Sequence, residues 1–174
     1  MNFFKTVWEK IINANNILLV SHVNPDGDAL GSELSLYSIL KNMGKKVTVF
    51  NVTKPLPEYL DFLPNFNKVT NVLPNKVDLT ISFDCGSFDR LGIEKKPSFL
   101  INIDHHISNT NYGDINLIMP TYASTSQVVY ELLKANNVKI DKESAICIYT
   151  ALVTDTGSFQ YENVMLKCLS VHLI

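Results

Sequence analysis

The run Ser21-His22-Val23-Asn24-Pro25-Asp26-Gly27-Asp28-Ala29-Leu30-Gly31-Ser32 places one imidazole and two carboxylates within seven positions. Pro25 and Gly27 prevent this stretch from staying helical or extended, so the three side chains sit on a turn. Imidazole and carboxylate donors gathered this closely can ligate a divalent metal ion. Asn-Pro-Asp-Gly is also an ordinary turn, and acids ahead of a helix serve as caps, so the run alone leaves both readings open. Three further clusters bear on the choice: Asp84-Cys85-Gly86, Asp104-His105-His106 and Thr154-Asp155-Thr156-Gly157. A single Asp after a strand is commonly a cap and a single His is commonly just packed. The recurrence of such clusters at strand or helix ends instead favours one shared site built from His22, Asp26, Asp28, Asp84, Asp104, His105, His106 and Asp155.

The elements that would position these residues are legible in the apolar pattern. Asn2 to Asn13 reads as an amphipathic helix, and Ile17 to Val20 as a buried parallel strand feeding the first cluster. Ala29 to Met43 carries a wide helical stripe ended at Gly44, and Val47 to Val52 completes a strand-helix-strand unit. Lys54 to Pro64, with its prolines, is expected to be a covering loop with a short helix and no chemistry of its own. The strands Leu79–Phe83 and Phe99–Ile103 run straight into Asp84 and Asp104, at the carboxyl ends where open α/β sheets bind ligands. Asp114 to Ile118 is a short extended piece, and Ser124-Thr125-Ser126-Gln127 opens a helix as a capping box. A last helix starting at Asp141 places Asp155 just past its end. The expected fold is therefore α/β, a doubly wound, mainly parallel sheet of about five strands with helices on both faces.

Taken in order, His-x-Asn-Pro-Asp-x-Asp, Asp-Cys-Gly, Asp-His-His and Thr-Asp-Thr-Gly resemble the four motifs of the DHH phosphoesterase superfamily. Asp26-Gly27-Asp28-Ala29-Leu30-Gly31-Ser32, Asp89-Arg90-Leu91-Gly92 and Ala123-Ser124-Thr125-Ser126 are most similar to the bacterial nanoRNase/pAp phosphatases, or bifunctional oligoribonucleases. The resemblance implies a manganese-dependent hydrolase acting on short oligonucleotides or 3′-phosphoadenosine 5′-phosphate (pAp) through a water activated by two metal ions. It implies that His22, Asp26 and Asp84 hold one ion, that Asp28, Asp84, His105 and Asp155 hold the other, and that Asp84 bridges them. The ions would be Mn²⁺, with Mg²⁺ or Co²⁺ as alternatives; affinity order alone would favour zinc over manganese. His106 resembles the family's phosphate-contacting histidine and could also protonate the leaving group. Asp104 is expected to orient His105 or a neighbour from behind. Arg90 is a candidate phosphate contact with a surface salt bridge as its alternative, and Ser32, Ser124 and Thr125 are most simply helix caps.

Composition restricts the partners. The formal charge is −2, and setting aside four candidate ligand acids leaves about +2, too little for a surface that tracks long duplex nucleic acid. Cys85, Cys147 and Cys168 follow no paired spacing, which argues against a disulfide framework and for a reducing compartment. The amphipathic N-terminus has no apolar run long enough for a signal or a membrane span, so a cytoplasmic location without membrane contact is expected. A homodimer is compatible. The pattern Leu166, Leu169, Leu173 runs to the last residues without a stop signal, and His172 would lie on that helix surface. Residues 1–174 are accordingly read as a catalytic domain cut before the C-terminal substrate-binding domain, with its glycine-rich motif, that such enzymes carry. Rival activities are a cyclic-dinucleotide phosphodiesterase, a RecJ-like exonuclease and an inorganic pyrophosphatase; from a different class comes a non-catalytic nucleotide- or metal-binding domain.

Overall fold

The computed structural model describes residues 3–161. In chain order it contains α1 (Phe3–Asn13), β1 (Asn16–Ser21), α2 (Gly27–Asn42), β2 (Lys46–Phe50), β3 (Val69–Thr70), β4 (Leu79–Phe83), β5 (Leu100–Asp104), β6 (Ile115–Ile118), α3 (Thr125–Ala135) and α4 (Lys142–Asp155). The six strands form one sheet in the order β3-β2-β1-β4-β5-β6, and every neighbouring pair is parallel. The sheet thus has six strands where about five were expected. The addition is the two-residue edge strand β3, too short to leave a periodic signal.

Parallel strands need long crossovers, and the fold supplies them unequally on the two faces. Along β1, Ile17 and Leu19 face one apolar cluster together with Leu34 of α2, Trp8 of α1, Val129 of α3 and Leu152 of α4. Leu18 and Val20 face the other way, onto Phe50 and Leu91, with Phe88 and Tyr112 packed alongside. Among the described residues all four long helices therefore share one face. The second face is covered by the 3-10 turn Phe88–Leu91 and the loop between β5 and β6, thinner than the helical layer expected there. The chain between β4 and β5 is spent on the 3-10 turn and its flanking loops and that between β5 and β6 on a loop, while α3 and α4 follow the sheet and pack on the first face.

The strand order reverses between β1 and β4, and at such a point a crevice opens at the carboxyl edge. His22 follows β1, Asp84 follows β4 and Asp104 ends β5, so three of the four clusters meet at this edge. The fourth arrives through a close helix crossing. A Cβ built on Gly27 would lie 2.4 Å from Thr154 Oγ1, and one on Gly31 would lie 2.6 Å from the Cys147 carbonyl and 2.7 Å from Ala151 Cβ. These glycines let α2 seat directly on α4, which carries Asp155 to Asp28. Gly31→Ala is expected to lower stability by about 1–3 kcal/mol despite the better helix propensity of alanine, because the clash is with backbone that cannot move alone. Urea unfolding checks this, and an unchanged midpoint would show that the crossing relaxes freely.

Glu33 of α2 is fully buried, accepts a hydrogen bond from Ser21 Oγ at 2.8 Å, and has no partner for Oε1. Burial pushes its carboxyl from the ordinary 4.5 up to about 8. An acid that binds its proton more tightly folded than unfolded favours the fold at low pH. That contribution is complete below about 4.5 and is lost as the pH rises to about 8. Unfolding free energy should therefore fall by on the order of a few kcal/mol from pH 5 to pH 9 through this group. Glu33→Gln should flatten that part of the profile, and identical slopes in the two proteins would contradict the assignment.

Candidate metal centre

Each cluster reaches the site by a local rule. Asp26 is the N-cap of α2: its Oδ1 accepts from Ala29 N at 3.0 Å. Its other oxygen lies 4.0 Å from His22 Nε2, so the cap and the site residue are one side chain. Asp28, in the first turn of α2, is buried and accepts from Thr125 N at 2.6 Å, Ser126 N at 3.0 Å and Ser32 Oγ at 3.2 Å. The amino end of α3 is thus aimed at an anion, as free helix N–H groups favour. Asp84 adopts φ 51°, a left-handed backbone that costs energy in any residue with a Cβ and that aspartate tolerates better than most. Asp155 is the final residue of α4, not a residue beyond it as the sequence pattern suggested.

Asp84 is the meeting point. Its Oδ2 lies 3.6 Å from His22 Nε2, and its Oδ1 lies 3.7 Å from His105 Nε2 and 3.5 Å from His106 Nδ1, and accepts from Thr125 Oγ1 at 3.0 Å. His105 Nε2 is also 3.3 Å from Asp155 and 3.9 Å from Asp28. Two tight triads result, His22 with Asp26 and Asp84, and Asp28 with His105 and Asp155; a third grouping is Asp84 with His105 and His106. The ring orientations suit ligation. His22 Nδ1 pairs with the Val23 carbonyl at 2.9 Å and His105 Nδ1 with the Tyr122 carbonyl at 3.2 Å, which leaves both Nε2 lone pairs facing the carboxylates. His105 Nε2 is buried without a hydrogen-bond partner. An orphaned acceptor among carboxylates is what a cation would satisfy, so the donor set fits divalent metal.

The remaining candidates sort by contact. His106 Nδ1 is 2.8 Å from Asp104 Oδ1, so this nitrogen is already committed. Asp104 reaches His105 only through its backbone N–H, at 2.8 Å; of the two rings the one it holds is that of His106. Asn109 Nδ2 donates to the other Asp104 oxygen at 2.5 Å and to the Cys85 carbonyl at 3.2 Å. Arg90 is exposed, and its carbonyl accepts from Val23 N at 2.8 Å, which ties its turn to the His22 loop. Ser124 caps α3 as expected, accepting from Gln127 N at 3.1 Å. Ser32 and Thr125 are not caps: each spends its hydroxyl on a site carboxylate. For Thr125 the sequence offered no signal, because Asp84 lies 41 residues away and meets α3 only in the fold; Ser32 stands four residues from Asp28 on one face of α2, a spacing that the sequence does show. His172 and Cys168 lie outside the described residues. Cys85 and Cys147 are free and buried, and burial pushes their thiols up to about 11 and about 12, which leaves neither as a ready thiolate.

Residues 16–152 match the model of the DHH family, N-terminal domain. The chain belongs to that family. This DHH domain is 35% identical to the bifunctional oligoribonuclease and PAP phosphatase NrnA of Thermus thermophilus, over 89% of this chain and 48% of that protein. It is 27% identical to a probable manganese-dependent inorganic pyrophosphatase of Enterococcus faecalis, over 84% of this chain and 50% of that protein. The crystal structure of an exopolyphosphatase-related protein from Bacteroides fragilis superposes with a TM-score of 0.89 at 28% identity, covering 98% of this chain and 55% of that one. The chain spans about half the length of the curated relatives it matches. Among the described residues no helix is long and apolar enough to cross a membrane.

The electrostatics of the DHH site follow from its burial. Burial, with repulsion from Asp84 and Asp155, raises the Asp28 carboxyl well above its ordinary value. Burial, with repulsion from Asp84 and Asp26 outweighing attraction to His105 and His106, pushes Asp155 up to about 6. Burial alone would raise Asp84 too, yet His22, His106 and His105 together hold it below the ordinary carboxylate value. The contact with Asp104 pushes His106 up to about 9. A pocket in which two acids, Asp28 and Asp155, are driven toward neutrality is short of positive charge, and divalent cations would supply it.

Proposed function

We propose that this domain hydrolyses phosphoesters in short oligonucleotides, pAp or both, with two divalent cations at the carboxyl edge. The observation that carries the reading is the placement of Asp84, with one oxygen facing His22 within its own triad and the other facing His105 of the second triad. His22, Asp26 and Asp84 would hold one ion; Asp28, Asp84, His105 and Asp155 would hold the other. When bound, two such ions supply Lewis-acid stabilisation of the ester oxygens and lower the pKa of a water between them. Manganese is the proposed metal, supported by the similarity to a probable manganese-dependent pyrophosphatase and by a donor set of two imidazoles and four carboxylates, with Mg²⁺ or Co²⁺ as substitutes.

The chain's own residues do the rest. Thr125 and the N–H groups of Thr125 and Ser126 fix the carboxylates of Asp84 and Asp28 in place. His106, half-exposed beside Asp84, spends Nδ1–H on Asp104 and keeps Nε2–H for the substrate. Charged at neutral pH, it can contact the phosphate or give its proton to the leaving oxygen. Arg90 is a proposed phosphate contact from the adjacent turn. A cytoplasmic location and a homodimer, both compatible with the resemblance, go with this reading.

The test is a substrate panel of pAp, a diadenylate, a cyclic dinucleotide and pyrophosphate, each assayed with Mn²⁺, Mg²⁺ and Co²⁺. Turnover of pAp or the diadenylate with Mn²⁺ is expected. Turnover of pyrophosphate alone would transfer the domain to the pyrophosphatase reading. Stoichiometric Mn²⁺ binding without turnover of any of the four would leave a metal-binding domain.

A further inference from the structure

A cavity of about 480 Å³ opens at the carboxyl ends of β2 and β3, beside the metal-ligand cluster but outside it. Its walls include Asn51, Thr53, Lys54, Phe66, Asn67 and Asn71. This volume lies in the range of ordinary small-molecule sites. The cavity is fastened to the first cluster by side chains. Asn51 Nδ2 donates to the His22 carbonyl at 3.0 Å and to Ser21 Oγ at 3.0 Å, and Thr53 Oγ1 accepts from Asn24 N at 2.7 Å. Its floor is further closed by Asn51 N donating to the Thr70 carbonyl at 3.0 Å. Adjacent strands are about 4.8 Å apart, so the ends of β2 and β3 stand about 10 and 14 Å from the end of β4, which Asp84 follows.

The lining chemistry selects the occupant. Glu58 and Asp61 stand against the single cation Lys54, which disfavours a phosphate group. Phe66, which also packs against the main apolar cluster, lines the cavity together with Asn67 and Asn71. An aromatic face with amide donors and acceptors suits a neutral, planar, heteroaromatic group. We propose that this cavity is a nucleobase subsite, taking the base of the nucleotide next to the scissile phosphate while the phosphate lies at Asp84 and His106. The proposal rests on the phosphoesterase reading and gives the Lys54–Pro64 loop, expected only to cover, a part in choosing the substrate.

Two measurements test it separately from that reading. In the first, kcat/KM with Mn²⁺ is compared for a diadenylate and for p-nitrophenyl phosphate, which has no base, in the wild type, Phe66→Ala and Asn67→Trp. Phe66→Ala removes the ring face; Asn67→Trp fills the cavity from an exposed position that the fold tolerates. Both variants should lose about tenfold or more on the diadenylate, mainly in KM, as expected for one lost base stack, and stay within about twofold on the aryl ester. In the second, amide chemical shifts are followed while adenosine 5′-monophosphate or ribose 5-phosphate is added. The adenosine nucleotide should perturb residues 51–71, and the sugar phosphate should not. Equal losses on both substrates, no loss on either, or equal shifts from both ligands would overturn the subsite. Adenosine-specific shifts in a protein inactive on every ester would instead keep the subsite and remove the phosphoesterase reading.

Discussion

Asp84→Asn should abolish metal-dependent turnover while leaving the fold intact. The substitution keeps the side-chain shape and, because asparagine tolerates the left-handed backbone at φ 51°, adds little strain. It removes the one negative charge that faces His22 on one side and His105 on the other, so the first triad loses a member and the second loses the carboxylate facing its histidine. The loss in kcat/KM should exceed the roughly 10–100-fold typical of an outer residue that merely supports a ligand. It should also exceed that of His22→Ala or Asp155→Asn, each of which touches one triad. Asp84→Ala should be as inactive and less stable, since alanine at this backbone angle carries more strain. Parallel assays of turnover, Mn²⁺ content and thermal unfolding check the set. An active Asp84→Asn protein would remove the bridging role.

His106→Ala should behave in the opposite way with respect to metal. Its Nδ1 is held by Asp104 at 2.8 Å and the ring is half-exposed, so it is placed to meet substrate from the solvent side. Loss of a general acid or charged phosphate contact costs on the order of 10²-fold or more in turnover. Mn²⁺ content should be nearly unchanged, because the two triads remain complete without it. Loss of one ion in His106→Ala would make His106 a ligand in the third grouping with Asp84 and His105 and would dissolve the acid role.

Much of the site could be read before the fold because its residues sit at element ends, where chain direction and motif coincide. Asp26 is both the cap that a helix start requires and a neighbour of His22, so the turn that Asn-Pro-Asp-Gly predicts also gathers two of the candidate ligands. What the sequence hid was contact between distant elements. Thr125 reads as part of a capping box, yet its hydroxyl goes to Asp84 just past β4 and its N–H to Asp28 in α2. Asn109, the residue that pins Asp104 under His106, lies in a turn with no periodic signal. The uneven layering was equally illegible: apolar runs of β4 and β5 are buried on both sides, and nothing in them says whether a long helix or a 3-10 turn provides the cover.

The decisive measurement is anomalous diffraction from crystals of this chain grown with Mn²⁺. Two manganese peaks about 3.5–4 Å apart, one toward His22 and one toward His105, with an Asp84 oxygen on each, are predicted. A single peak, or two peaks that do not share Asp84, would contradict the account.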